Sequence, residues 1–306
     1  MWDLAFFITV LALFQVMSYY GQKTKRHRAY SNACIPPTVE ETDIVFKGSD
    51  GITEEQIRKI LVKRFPYYRS LQENLQQTFL KRLRSFMSEK TFIIKDDEGF
   101  KEMPVLVSAA AIQLTFGLSQ YRLPFYKYIR IHPEEYFAEH AFFTVLAGNV
   151  QGNIITVAWN QFLKGYSDFA DGSNVGLHEM SHALYIQKMV IEEGYAKDFC
   201  RNYNQLLDYS KLAYKTEIDG QKNLYSEYAD SNLQEFWAES VELFFEKPAQ
   251  LKQQYPEVFK AMKLLLNQDP EQTVNPVSEV NMPWQEKLKK LSGFVWMKLL
   301  NGPYQI

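Results

Sequence analysis

Apolar residues recur at helical spacing from about Ile52 through Leu61, and again at Leu71, Leu75, Phe79 and Leu83, which predicts helical structure across both stretches. Thr91-Phe92-Ile93-Ile94 reads as a short strand that stops at a turn over residues 95–99. Residues 105–118 form an apolar run in which alanines permit close packing, the pattern of a buried helix. Residues 126–131 and 154–159 are strand candidates ahead of a further helix. That helix is announced by Ser173 and Asn174, whose side chains suit an N-cap. It continues to about residue 191 with no proline and with Val175, Ala183, Ile186 and Val190 on a core-facing stripe. A last helical run, 234–245, is rich in Phe and Trp and reads as mostly buried. The pattern predicts one helix-rich α+β domain with a small sheet, spanning about 51–272. No internal repeat or low-complexity tract interrupts it.

The two ends read differently. Residues 4–20 carry no charge and would extend about 25 Å as a helix, the short end of what a bilayer requires. Trp2, Tyr19 and Tyr20 sit where interfacial aromatics belong, and Lys23, Lys25, Arg26 and Arg28 follow at once. These features predict a single N-terminal transmembrane helix over 1–22, with the positive flank placing the bulk of the chain on the cytoplasmic side. A cleaved signal peptide is the rival reading, but the segment lacks a basic n-region and an Ala-x-Ala-like site. Residues 23–50, basic and then containing Pro36-Pro37, read as a tether. Residues 273–306 form a tail whose stretch 284–291 is amphipathic and suited to docking on the domain or lying at the membrane surface.

Charge and cysteine content narrow the class. A net charge of −2 over 306 residues argues against direct nucleic-acid binding, which needs a basic surface. The basic run at 23–28 is better explained by membrane topology or anionic headgroups. Two cysteines, Cys34 and Cys200, are too few for a disulfide-stapled secreted protein and fit a reducing compartment.

The candidate chemistry lies in His178-Glu179-Met180-Ser181-His182, a His-Glu-x-x-His motif on the predicted helix. Residues four apart stand one turn above each other, so both imidazoles point to one side and can occupy two corners of a tetrahedral zinc. The glutamate beside the first His can reach a metal-bound water and act as general base. A catalytic zinc needs a third protein ligand. Lys188 stands where the metzincin extension would place it, which excludes that arrangement. Of the five histidines, His27 lies in the tether, leaving His132, His140 or a downstream carboxylate. Glu235, Glu239 and Glu242 share one helical face, offset by only about 20–40°. Carboxylates in so apolar a run need a cation or a hydrogen-bonding partner. One could bind zinc while another orients a ligand imidazole. Spacing alone does not choose between Glu235 and Glu239.

Several stretches resemble the Mlc titration factor A family of zinc peptidases and, more distantly, the catalytic domain of anthrax lethal factor. They are Ile155-Thr156-Val157-Ala158-Trp159, residues 171–182 and residues 228–245, with 79–92 similar to that family's first helix and following strand. The resemblance covers roughly 60–265. It implies a zincin-like metallopeptidase fold with one Zn²⁺ per chain and a peptide or protein substrate, and it assigns Glu235 as third ligand. It further implies that Tyr228 is a catalytic group able to donate a hydrogen bond to the developing oxyanion. Glu239 and Glu242 remain candidates for supporting the ligands. In zincins a strand beside the active-site helix can pair with an extended substrate. The family is known for aminopeptidase-type activity and for binding a sugar-responsive transcriptional repressor. The alternative reading is therefore a regulatory protein that sequesters such a partner. Known soluble members lack the apolar N-terminal segment, so the anchor is a departure from the family.

Overall fold

The computed structural model describes residues 36–95, 101–137, 144–192, 196–218, 224–226, 229 and 232–273. The predicted anchor, most of the predicted tether and all of the tail beyond Thr273 fall outside these, as do His27, His140 and Tyr228. Among the described residues no helix is long and apolar enough to cross a membrane.

Strand β1 (Ile44–Lys47) lies inside the segment expected to be tether. It pairs antiparallel with β2 (Thr91–Ile94), Ile44 opposite Ile94 and Phe46 opposite Phe92, so residues 44–47 belong to the sheet and not to a tether. Between these strands come α1 (Glu54–Arg64), α2 (Pro66–Ser70) and α3 (Glu73–Met87). Thr53 opens α1 with a capping box, its hydroxyl accepting from the Gln56 amide at 3.2 Å while the Gln56 side chain accepts from the Thr53 amide at 2.9 Å. Pro66 forces Phe65 into extended backbone (φ −122°, ψ 93°), which ends α1 and starts α2.

Helix α4 (Glu102–Thr115) is buried on every side from Met103 to Thr115, as its largely apolar run predicts. It packs against α1 and α3. Strand β3 (Tyr128–His132) follows, then the two-residue strands β4 (Tyr136–Phe137) and β5 (Val145–Leu146), which form a small separate ribbon. Strands β6 (Gly148–Gln151) and β7 (Ile154–Ala158) make a tight hairpin whose Gly152 supplies a φ of +54°. The main sheet has the order β1-β2-β3-β7-β6. Its centre, β2-β3-β7, is parallel, and both edge strands are antiparallel to their neighbours.

After α5 (Trp159–Gly165), helix α6 (Val175–Tyr185) lies beside β6 and β7 and packs on α4. The sequence predicts α-helix to about 191. The structure instead widens into a π-helix over Ile186–Ile191. The wider turn lets Gln187 Oε1 accept from the Phe125 amide at 3.0 Å, and lets Lys188 Nζ donate to Gln120 Oε1 (2.8 Å) and Glu192 Oε2 (2.7 Å). Helices α7 (Lys197–Ile218), α8 (Leu233–Glu246), α9 (Pro248–Gln254), α10 (Pro256–Leu266) and α11 (Pro270–Thr273) complete the described chain, with α8 packed on α6.

Candidate metal centre

Helix α6 carries the motif. Its N-cap is Asn174, whose Oδ1 accepts from the Leu177 amide at 3.0 Å, one of the two caps the sequence offers. His178 and His182 stand one turn apart with ring centroids 4.8 Å apart and Nε2 atoms 3.1 Å apart. Helix α8 is capped by Asn232, which accepts from the amides of Gln234 and Glu235. Its fully buried Trp237 donates from Nε1 to the Ser181 carbonyl at 2.9 Å and pins the two helices together. That crossing brings Glu235 Oε2 to 3.2 Å from His178 Nε2 and 3.5 Å from His182 Nε2.

The three acids on the α8 stripe take different roles. Glu242 Oε1 lies 2.6 Å from His178 Nδ1, and its Oε2 accepts from the Asn174 amide at 2.5 Å. A carboxylate accepts, so Nδ1 carries the proton and the His178 Nε2 lone pair faces His182 and Glu235. Glu239 turns away and accepts from the amide and hydroxyl of Ser226. Tyr225 stacks on Phe236 with centroids 4.9 Å apart and shares a 2.8 Å hydrogen bond with Ser240. The short segment just before Tyr228 is thus fastened to α8.

Glu179 lies on the cleft side of α6, 5% exposed, against the edge strand. At Gly148 an added Cβ would come within 2.5 Å of Glu179 Cγ, so only glycine admits this approach of strand to carboxylate. Nothing in the local sequence marks Gly148, whose contact is 31 positions away.

The electrostatics ask for positive charge. Burial pushes the Glu179 carboxyl up to about 7, with Glu235 and Glu242 adding to it and the two imidazoles opposing. The His178 and His182 rings hold Glu235 down at about 2. Burial lowers the His178 imidazole, but Glu235 and Glu242 on its two nitrogens more than reverse this and raise it. A proton or a metal cation would satisfy the same demand.

Among the described residues, His178, His182 and Glu235 form the group whose ligand atoms converge tightly enough for a metal. Zinc bonds of about 2.0–2.1 Å at tetrahedral angles put ligand atoms about 3.3–3.4 Å apart. The three edges here are 3.1, 3.2 and 3.5 Å. Glu235 Oε2 is buried and accepts no hydrogen bond among the described residues, as expected of an atom reserved for a cation. The donor set therefore fits zinc. His132, the other described histidine weighed as third ligand, stacks on Tyr136 at 4.3 Å and is not part of this group.

Residues 47–266 match the family model of the glucose-regulated metallopeptidase M90. The chain belongs to this metallopeptidase family. That is the Mlc titration factor A family the sequence resembles. The chain is also similar to the uncharacterized protein slr2042 of Synechocystis sp., at 24% identity over 228 residues, covering 67% of this chain and 80% of that protein.

Proposed function

We propose that this chain is a zinc-dependent peptidase in which His178, His182 and Glu235 hold the ion and Glu179 is the general base. The observation that carries this reading is the convergence of two Nε2 atoms and one orphaned carboxylate oxygen at tetrahedral-edge spacing, with a buried glutamate beside them. Zinc bound there supplies Lewis acidity, polarising a carbonyl and making a nucleophile available from water near neutral pH. Glu179 takes a proton from the attacking water and returns it to the departing amine. Tyr228 is assigned the oxyanion's hydrogen bond, supported by the family resemblance and by the anchorage of Tyr225 and Ser226 on α8. Strand β6 ends the sheet, so its outer edge can pair with an extended peptide alongside Glu179. The uncharged N-terminal segment and its basic flank support anchoring at a membrane.

The test is hydrolysis of peptide reporters by the full-length protein. Activity is expected to vanish on chelation, to return with zinc, and to accompany about one zinc per chain by elemental analysis. Hydrolysis that survives complete metal removal would rule the reading out. A metal-loaded protein that cleaves nothing but captures a protein partner would favour the sequestering alternative.

Glu242 is assigned the support of His178. Glu242→Ala leaves both the Nδ1 proton and the Asn174 amide without their acceptor. Zinc affinity in competition with a chelating dye is expected to fall by about 10–100-fold. Unchanged affinity would show that Glu242 does not orient the ring.

A further inference from the structure

We infer that the groove beside Glu179 receives the half of the peptide C-terminal to the cleaved bond, and that Lys247, with Lys164 nearby, recognises a carboxylate there. This rests on the peptidase reading above and adds a substrate class to it.

The groove has a volume of about 630 Å³ and runs from Gly148, His178 and Glu179 past Val175 and Leu243 to Lys247. His182 and Glu235 are not among its walls, so it opens on the Glu179 side of the histidine pair. The departing amine must come within reach of the group that returns its proton. If that group is Glu179, the residues following the cleaved bond occupy this space.

The charged groups lining the groove are unequally committed. Glu242 is held by Asn174 and His178, Glu239 by Ser226, and Asp171 Oδ1 accepts from the Ser173 amide at 2.8 Å. Lys164 and Lys247 have no ion-pair partner among the described residues, although Lys164 acts on Glu135 at longer range. Lys247 is also positioned. Its stem lies against Gly172, where φ is +76° and an added Cβ would come within 3.1 Å of Lys247 Cδ and Cε. A lysine ending a helix is ordinary, because cations favour helix C-termini. That preference does not require the stem to be laid along a glycine turn in the wall of the groove. Lys164 and Lys247 are therefore the cations here open to a ligand, and the complement of either is an anion. On a peptide that anion is a carboxylate, either the terminal one or an acidic side chain just after the cleaved bond.

The zinc-loaded full-length protein would be given paired reporter peptides ending in a free acid or an amide one or two residues after the cleaved bond. A second pair, both amidated, would carry Glu or Gln directly after that bond. The carboxylate member of at least one pair is expected to be favoured about tenfold or more in kcat/KM, mostly through KM. That preference should collapse toward unity in Lys247→Met and persist in Lys247→Arg. A preference confined to the first pair assigns the terminal carboxylate; one in the second pair assigns the side chain. Equal rates within both pairs, or a preference untouched by Lys247→Met, would overturn the inference. Anisotropy of labelled product fragments, acid and amide, on the Glu179→Gln protein reads the same preference without turnover. Tighter binding of the acid, combined with a zinc-loaded wild-type protein that cleaves none of the reporters, would sink the peptidase reading and leave the carboxylate site standing. Equal binding of acid and amide would remove the site.

Discussion

Glu179→Gln is expected to lower kcat for peptide hydrolysis by about 10²–10⁴-fold while leaving the fold and the zinc content intact. Glutamine keeps the shape that fits against Gly148, so the packing between α6 and the edge strand survives. What it loses is a basic oxygen. Glu179 is 5% exposed, and its Oε2 meets no hydrogen-bond donor among the described residues, leaving that oxygen available to a reacting proton. The loss should fall on kcat, because the group acts in the transition state and contributes little to holding substrate. The pH profile gives an independent check. Burial raises this carboxyl to about 7 without a cation, and a nearby dication favours the charged form. A base must be deprotonated to work, so kcat/KM should fall as pH drops through a value at or below about 7, and Glu179→Gln should lack that limb. A variant that retained wild-type kcat, or changed only KM, would remove Glu179 from the chemistry.

The sequence made the motif helix legible because every signal there is local: the Asn174 cap, the absence of proline, and histidines one turn apart. The three central strands were legible as strands, though not their parallel pairing: β2 and β7 are mostly buried runs, and β3 alternates with Ile129 and Ile131 buried. Strands β1, β4, β5 and β6 were not, being two to four residues long and partly exposed, too short for alternation to register. The anatomy of the site divides in the same way. Helical periodicity put Glu235, Glu239 and Glu242 on one stripe and could go no further, because about 20–40° of rotation does not separate them. Contacts distant in sequence do. The Trp237–Ser181 bond sets the crossing, Ser226 draws Glu239 aside, and Asn174 with His178 claims Glu242. Glu235 is then the acid that remains for the paired rings.

That partition gives the second large effect. Elemental analysis should find near-stoichiometric zinc in the wild-type protein and little in Glu235→Ala. Zinc held by a full set of protein ligands contributes about 10–16 kcal/mol, so one ligand accounts for roughly 3–4 kcal/mol, or two to three orders of magnitude in affinity. Two imidazoles at i and i+4 would remain, enough for weak binding that does not survive gel filtration. Glu239→Ala is the informative partner. Its carboxylate lies one turn along the same helix and is bound to Ser226, so its removal should loosen the segment leading to Tyr228 and spare the zinc. Activity would then fall in both variants for different reasons, one from loss of the ion and the other with the ion retained. If Glu239→Ala lost zinc while Glu235→Ala kept it, the ligand assignment would be reversed, and the approach of Glu235 to the two rings would have to be read as an ion pair alone.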